Sequence, residues 1–297
     1  MKQLAIIGPT ASGKSDLAIS VAKKIDAYIL SIDSLSIYKE INIVAAKPSK
    51  DELAQIHHFG VDELDPNEHF SVDIFIELYQ KVLQKCEKEG KNLVIVGGTS
   101  FYLKSLLQGL SPIPKLNDEA KKKVHDALLD LPNAYHFLSL KDPHYMSRIS
   151  LNDRYRIEKA LIVYEGSKMP PSKWFEQNPP KAVIKDLPIF NIDVSRDIIR
   201  QRIQKRTHKM LDLGLIDEVA YLEQKYTRSP NAMGAIGIVE VLDYLDAKTD
   251  LKEMLDLICT HTAQLAKRQQ TFNKNQFEGL ISAPLEELEA IIFSTFS

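Results

Sequence analysis

The segment most suited to chemistry is residues 8–15, which read Gly-Pro-Thr-Ala-Ser-Gly-Lys-Ser. They match the pattern G-x-x-x-x-G-K-[ST], follow a short apolar run and precede a helical segment, as a phosphate-binding loop does. Gly8 and Gly13 allow a tight turn in which successive backbone N–H groups point at an anion. Lys14 adds a mobile positive charge, and the hydroxyl of Ser15 could ligate Mg²⁺. The dipole of the following helix favours the same anion. The pattern therefore predicts a phosphate or diphosphate site and leaves the reaction open.

Composition indicates an ordinary globular protein. Of the 297 residues, 44% are hydrophobic and 26% are charged, which is enough for one large core or two smaller ones. No apolar stretch approaches the ~20 residues of a membrane span, and the first residues are too short for a signal peptide. Cys86 and Cys259 stand alone, which argues against disulfides and structural zinc. We expect a cytoplasmic protein.

Charge is spread unevenly along the chain. The formal net charge is −2, so the whole protein is not a bulk nucleic-acid binder. Residues 196–210 nevertheless contain six basic side chains and one acidic one, and residues 258–277 contain three basic side chains and no acidic one. These two segments could line a groove for a polyanion. On charge alone, solvated helix faces explain them as well.

The first third of the chain alternates β-rich runs, at 28–32 and 93–96, with the helical pattern of 72–88. This alternation predicts an α/β fold with a parallel, doubly wound sheet. Ligands of such sheets bind at the carboxyl ends of the strands. Three loops fall at that edge: 8–15, 33–36 and 97–99.

Residues 109–114 are rich in loop formers and break the pattern. The chain from 115 to 181 is helical in spacing throughout, and a strand at 189–194 returns to the earlier style. We therefore predict a catalytic core formed by residues 1–114 and 182–297, interrupted by an all-helical insertion at 115–181.

The phosphate loop alone leaves several enzyme classes open. Enzymes that transfer phosphoryl groups usually add an acidic residue at the end of a second strand to hold Mg²⁺, but the strand at 93–96 ends in Gly97-Gly98-Thr99. The acid that follows a strand is Asp33. No Asn-Lys-x-Asp motif is present, which disfavours a GTPase. A nucleotide kinase remains an alternative, because the arginines of 196–210 could close over phosphates.

An ordered series of motifs over residues 4–275 resembles the tRNA dimethylallyltransferases, also called the IPP transferase family. That resemblance implies a core like that of the P-loop NTPases. The matching segments are 8–15, Asp33-Ser34 with Tyr38-Lys39, 45–48, 96–99 with Tyr102, Asn152-Asp153 with Arg156, Ala160-Leu161, 235–237 with Glu240, and 264–269.

The resemblance implies an enzyme that transfers a dimethylallyl group from dimethylallyl diphosphate to N6 of the adenosine just 3′ of the tRNA anticodon. The loop would then hold the diphosphate of the prenyl donor, with Mg²⁺ as cofactor. A loop of this type could also bind ATP. The sequence lacks the D-D-x-x-D segment of other prenyltransferases, so backbone amides and Lys14 would take that role. The loop residues implied are Gly8, Pro9, Thr10, Ala11, Ser12, Gly13, Lys14 and Ser15.

Catalytic roles follow from the same resemblance. Asp33 would be the general base, an effect typically worth ~10²–10⁴-fold in rate; a helix N-cap is the structural alternative. Thr99 would donate to the leaving oxygen, or else be a turn residue. Lys14, Ser15 with Mg²⁺, and the i,i+4 pair Arg202 and Arg206 would neutralise the diphosphate. The two arginines could instead be surface residues.

The tRNA anticodon stem-loop is the implied partner, and its adenine must be splayed out to react. Lys121 could contact the anticodon stem or be a solvated lysine. We expect a monomer. The residues matched to tRNA contacts are Asp33, Ser34, Leu35, Ser36, Thr99, Lys121, Tyr155, Arg156, Ile157, Glu158, Lys159, Gly234, Ala235, Ile236, Gly237, Ile238 and Val239.

The chain departs from the family pattern at three places. Ala263 replaces an arginine, Ile238-Val239 replaces a tyrosine and a basic residue, and Ala45 replaces a threonine. These changes affect expected RNA contacts and leave the catalytic set intact. The runner-up is prenyl transfer to free AMP, ADP or ATP, which the helical insertion disfavours because a free nucleotide needs no such platform.

Overall fold

A computed structural model describes residues 1–296. It divides into two compact units, described separately here. The first unit comprises Met1–Leu107 and the chain from Ile184 onward, and the second comprises Gln108–Val183. The predicted insertion at 115–181 lies within the second unit.

The first unit is built on a parallel sheet. Its six described strands have the order β3-β2-β4-β1-β5-β6, and each neighbouring pair is parallel. This confirms the predicted α/β class. The strands are β1 (Gln3–Ile7), β2 (Ala27–Ser31), β3 (His58–Phe59), β4 (Asn92–Gly97), β5 (Ile189–Ile192) and β6 (Ile281–Ala283).

Helices cover the sheet and extend beyond its edge. Those of the first unit are α1 (Lys14–Lys24), α2 (Lys50–Gln55), α3 (Val72–Glu89), α4 (Ser100–Gln108), α10 (Arg196–Asp212), α11 (Leu215–Tyr226), α12 (Ile238–Leu245), α13 (Leu251–Gln276) and α14 (Leu285–Phe296). Those of the second unit are α5 (Asp118–Ala127), α6 (Leu131–Lys141), α7 (Pro143–Met146), α8 (Arg154–Ser167) and α9 (Pro171–Gln177). No helix in the described chain is long and apolar enough to cross a bilayer.

The sheet core explains why the central strands read as continuous apolar runs. Leu4, Ile6 and Val94 are fully buried, as is Phe190 on β5. Strands of a parallel sheet are buried on both faces, so their sequences do not alternate between apolar and polar residues. α1 and α14 supply the apolar side chains that pack on this cluster. The short edge strands β3 and β6 escaped sequence analysis because two or three residues carry too little pattern.

All three predicted ligand loops lie at one edge of the sheet. β1 ends at Ile7, β2 at Ser31 and β4 at Gly97, and parallel strands in adjacent register bring their carboxyl ends together. Gly97 has a φ of 159° and a Cβ there would lie 2.7 Å from a side-chain carbon of Ile32. The close approach of these two strand ends therefore requires glycine.

The second unit is a small helical bundle with its own apolar core. Val124, Leu138, Met146, Ile157 and Leu161 are buried within it. Trp174 donates its Nε1–H to the carbonyl oxygen of Pro112 at 2.8 Å, so this ring fixes the start of the unit's chain.

Glu218 on α11 holds the loop that follows β2. Its carboxylate accepts the backbone N–H groups of Asn42 (2.9 Å), Ile43 (2.8 Å) and Val44 (3.0 Å). Three converging amides are a strong acceptor site for one charged group. Glu218 therefore fixes a segment with no regular structure of its own.

We expect Glu218→Ala to lower the free energy of unfolding by about 1–3 kcal/mol, because three backbone N–H groups, two of them part-buried, lose their acceptor. Urea unfolding followed by circular dichroism measures this. Gln224→Ala, at an exposed position of the same helix, is the control and should stay within about 0.5 kcal/mol of the parent. Equal stability of both variants would show that the loop does not depend on Glu218.

Candidate active site

The phosphate loop joins β1 to α1, and positively charged side chains donate hydrogen bonds to its backbone carbonyl oxygens. Gly13, at the N-cap of α1, has a φ of 95°, a left-handed conformation that glycine adopts without strain. The Lys14 ammonium donates to the carbonyl oxygen of Pro9 at 2.9 Å. Backbone N–H groups at the start of α1 and this ammonium together form an anion-binding concavity.

Two arginines of α10 reach the same loop. Arg202 donates to the carbonyl oxygen of Ser12 at 3.1 Å, and Arg206 donates to Thr10 Oγ1 at 3.3 Å. Ile199 and Ile203 are buried on the neighbouring face of the helix, so packing decides which way the arginines point. The structure thus places Arg202 and Arg206 at the loop and not on the open surface.

Burial without an anion is unfavourable for these cations, and their pKa values reflect it. Burial lowers the pKa of Lys14 to about 8; Asp33 opposes this shift and Arg206 adds to it. Burial also lowers the pKa of Arg206, again opposed by Asp33. The loop is therefore a site whose positive charge a bound polyphosphate would stabilise.

Asp33 follows β2 and is oriented by a tight turn. Its Oδ1 accepts the N–H groups of Leu35 (2.9 Å) and Ser36 (3.3 Å). No helix begins at Asp33, so these bonds close a turn and are not a helix N-cap, and they occupy one oxygen of the carboxylate. Among the described residues no hydrogen bond to Oδ2 is found, so the second oxygen can accept a proton from a ligand.

Thr99 lies beside this turn. Its Oγ1 accepts the N–H of Ser34 at 3.3 Å and lies 3.4 Å from Ser34 Oγ. The strand ends of β2 and β4 therefore place the hydroxyl of Thr99 next to the residue that follows Asp33.

A cavity of about 670 Å³ connects these groups. Thr10, Asp33, Thr99 and Arg206 line it, and Asp33 supplies its one carboxylate among the described lining residues. An apolar wall lies along the same cavity; it includes Leu35, Val44, Ile203, Met210, Ile258, Leu265 and Phe272. The arrangement suits a molecule with a phosphate group at one end and a hydrocarbon group beside it.

The other predicted site residues of the first unit fall into two groups. Ser34, Leu35, Gly234, Ala235 and Ile236 line the cavity, whereas Lys14 and Ser15 do not. Ser15 is exposed at the start of α1, and Gly8, Pro9 and Ser12 are buried in the loop.

Three of the residues matched to tRNA contacts have side chains that are buried within the protein. Ser36 is 5% exposed, and Ile157 and Ile238 are fully buried. Ile157 packs in the core of the second unit and Ile238 packs with Met254 and Ile258 in the first. The apolar spacing around Ile157 is a signal that could have shown this.

The second unit presents its remaining predicted residues at the surface. Tyr155 is 66% exposed, with the Lys159 ammonium 5.5 Å from its ring centre. Arg156 pairs with Asp153 at 2.7 Å, and Lys121 pairs with Asp118 at 2.8 Å. Glu158 is half-buried beside them on the same helix. These are exposed pairs that an incoming phosphate could replace at little cost.

Sequence analysis missed a link between two of the loops. Gln269 on α13 accepts the N–H of Thr10 at 2.8 Å through Oε1 and donates to the carbonyl oxygen of Gly98 at 3.0 Å through Nε2. Gln269 belongs to a motif of the sequence series, but spacing along one helix does not reveal which distant loops its amide reaches.

The donor groups fit Mg²⁺ bound mainly through substrate. In the described chain no cluster of three or more His, Cys, Asp or Glu could hold a metal ion. Mg²⁺ keeps several waters and commonly binds one or two protein oxygens together with phosphate oxygens. The exposed hydroxyl of Ser15 meets that requirement.

Fold and site together define a class, namely an α/β protein with a phosphate-binding loop, an apolar cavity and a single carboxylate beside them. The family model described as IPP transferase matches residues 36–276. This chain therefore belongs to the IPP transferase family.

Relatives with known names agree over the full length. The chain is 65% identical over 297 residues to a tRNA dimethylallyltransferase of Sulfurimonas denitrificans, with 100% of each chain covered. It is 57% identical over 291 residues to a tRNA dimethylallyltransferase of Nautilia profundicola, with 98% of each covered.

Solved structures give the same result. The tRNA isopentenylpyrophosphate transferase of Bacillus halodurans is 26% identical with a TM-score of 0.72, covering 99% of this chain and 95% of that one. A eukaryotic dimethylallyltransferase acting on tRNA is 25% identical with a TM-score of 0.85, covering 99% of this chain and 78% of that one. The predicted phosphate-loop core is confirmed as the fold of this family.

The pKa of Lys14 predicts how anion binding depends on pH. Below pH 8 the ammonium is protonated and attracts diphosphate; above pH 8 it loses its proton, so the dissociation constant should rise by up to tenfold per pH unit. Calorimetric titration with inorganic diphosphate from pH 6.5 to 9.5 measures this.

Lys14→Arg is the matched control, because arginine stays protonated over this range. It should remove the part of the pH dependence that belongs to Lys14 and leave the part that belongs to the ligand. Identical profiles for parent and variant would show that Lys14 does not titrate in this range.

Proposed function

We propose that this protein transfers a dimethylallyl group from dimethylallyl diphosphate to N6 of the adenosine 3′-adjacent to the anticodon, tRNA position 37, and releases diphosphate. The observation that carries the proposal is the single cavity lined by Asp33, by the loop-binding Arg206 and by an apolar wall. Membership of the family, whose relatives are named tRNA dimethylallyltransferases, supports it.

The donor would occupy the cavity with its diphosphate at the phosphate loop. Backbone N–H groups of residues 8–15, the ammonium of Lys14 and the guanidinium of Arg206 would bind the phosphates. The five-carbon chain would lie against Met210, Leu265 and their apolar neighbours. Such a wall favours the hydrocarbon chain of a short prenyl diphosphate over polar groups in that part of the cavity.

Asp33 would act as the general base. The exocyclic amine of adenine is a poor nucleophile because its lone pair is delocalised into the ring. As the bond from N6 to the prenyl carbon forms and the carbon–oxygen bond to diphosphate breaks, Asp33 Oδ2 accepts the N6 proton. The turn at Leu35 and Ser36 fixes Oδ1, so the carboxylate is oriented before the substrate arrives.

Charge on the leaving diphosphate needs donors already in place. The hydroxyl of Thr99 would donate a hydrogen bond to the bridging oxygen of the leaving diphosphate, and Lys14 and Arg206 would neutralise the remaining charge. Mg²⁺ would be held by Ser15 and by diphosphate oxygens, where it would supply further neutralisation of the leaving group.

The tRNA would present an extruded adenine to the cavity, since N6 cannot reach Asp33 from within a stacked loop. Exposed Tyr155 and Arg156, with half-buried Lys159, offer a ring and two charges for the RNA backbone. Transfer to a free adenine nucleotide is not supported, because the named relatives are enzymes of tRNA.

We expect Asp33→Asn to slow transfer by ~10²–10⁴-fold, the usual value of a general base. Asparagine keeps an oxygen for the turn at Leu35, so folding and diphosphate binding should persist. Label transfer from radioactive dimethylallyl diphosphate to unmodified anticodon stem-loops with Mg²⁺ measures this, with AMP as a second acceptor. Label in AMP alone, or ATP turnover without transfer, would overturn the proposed function.

We expect Arg156→Ala to raise KM for the stem-loop severalfold with little change in kcat, because a phosphate contact aids binding and not the transfer step. The slope of log KM against log salt concentration should fall by about one. Arg148→Ala, which removes an exposed arginine of the same unit, is the control for overall charge. Equal effects of both variants would argue against a specific contact at Arg156.

A further inference from the structure

Gln269 is the one side chain described here that bonds to both the phosphate loop and the loop after β4. Its Oε1 accepts the Thr10 N–H at 2.8 Å, and its Nε2 donates to the Gly98 carbonyl oxygen at 3.0 Å. The two bonds use both ends of one amide, so the side chain cannot shift toward either loop without weakening the other bond.

The two loops carry different halves of the proposed reaction. Thr10 belongs to the loop that would hold the diphosphate of the donor. Gly98 precedes Thr99, which in turn contacts Ser34 beside Asp33. Hydrogen bonds and the chain itself therefore connect the donor loop to the base. β1 and β4 are paired as far as Ile7 and Gly97, and beyond these strand ends Gln269 is the one side-chain link between the two loops among the hydrogen bonds described.

The contact at Gly98 is close enough to depend on both residues. A Cβ at position 98 would lie 2.4 Å from Gln269 Nε2 and 3.3 Å from its Cδ. Gly98 has no left-handed φ, so an alanine would be acceptable to the backbone and would collide only with this amide. The position of the Gln269 amide therefore requires glycine at residue 98.

We propose that Gln269 is a positioning residue that sets the separation between the phosphate loop and the group formed by Thr99, Ser34 and Asp33. The proposal rests on the proposed function, in which those two groups hold the leaving diphosphate and the attacking amine. A residue that fixes this separation acts on the transfer step, because misplacement of reacting atoms by about 1 Å can cost ~10²-fold in rate.

The test is a double-mutant cycle measured by single-turnover label transfer to the stem-loop. Gln269→Ala should lower the rate of transfer by 10- to 100-fold and change KM for either substrate by less than threefold. Gly98→Ala should give a similar loss, because its methyl group displaces the same amide. The double variant should be no slower than the slower single variant, within threefold. Losses that multiply would overturn the proposal, as would full activity of Gln269→Ala.

A second measurement does not depend on activity. Amide hydrogen exchange should rise in residues 10–12 and 97–100 of Gln269→Ala. Gln270→Ala is the matched control, because Gln270 is the adjacent amide of α13 and bonds instead to the Val194 carbonyl oxygen at 2.9 Å. It should change exchange near residues 195–197 and leave the two loops as in the parent.

The two measurements separate the two proposals. If the parent protein transfers no label to the stem-loop, the proposed function fails and hydrogen exchange still decides whether Gln269 joins the loops. If the parent is active and exchange in both loops is unchanged by Gln269→Ala, the positioning role is overturned while the proposed function stands.

Discussion

Positive charge gathered at one loop, which the Asp33 carboxylate offsets only in part, is the constraint on which the rest of the structure depends. Lys14, Arg202 and Arg206 all bond to atoms of the phosphate loop. Desolvating cations is unfavourable unless a counter-charge is supplied, and the lowered pKa of Lys14 expresses that cost. The fold maintains the arrangement through α10. Ile199 and Ile203 are buried on one face of this helix, which fixes the orientation of the helix and therefore of its arginines. A multiply charged anion relieves the constraint.

The apolar wall narrows the choice of that anion. Met210, Leu265 and Phe272 form an apolar stretch of the cavity lining, which favours burial of a hydrocarbon group over burial of polar atoms. A prenyl diphosphate brings a hydrocarbon that this wall accepts. The same cavity contains Asp33, held by backbone amides through one oxygen only. The positive charge, the apolar wall and the oriented carboxylate together favour transfer of a hydrocarbon group to a nucleophile. An enzyme that only transferred or hydrolysed phosphate groups would not need the apolar wall.

Sequence analysis could predict those parts of the site that follow from local pattern. The phosphate loop is contiguous in sequence, and Asp33 and Gly97-Gly98-Thr99 directly follow strands whose parallel pairing brings them to one edge. Contacts made by a side chain to a loop far away in sequence could not be predicted. Gln269 reaches back 259 residues to Thr10, and Glu218 reaches back 175 residues to Ile43. The burial of Ile157 and Ile238 was missed because the family resemblance assigns a role to a whole segment, whereas packing decides separately for each residue whether its side chain is buried.

Packing and burial also account for the positions at which the chain departs from the family pattern. Ala263 packs against the cluster of Ile199 and Ile203 between α10 and α13, so a small apolar residue there supports the buried face of α10 next to its arginines. Ile238 is buried and Val239 is 40% exposed, so only Val239 changes what a ligand meets.

Gly234, Ala235 and Ile236 line the cavity, and Ala235 packs against the core cluster that contains Ile238. Glu240, itself buried, accepts the Gly237 N–H at 2.6 Å and lies 2.6 Å from His261 Nδ1. This carboxylate ties the end of the wall to α13, the helix that also carries Gln269. The residue at 239 therefore alters the surface around the site, while α13 bonds both to the phosphate loop through Gln269 and to Glu240 through His261.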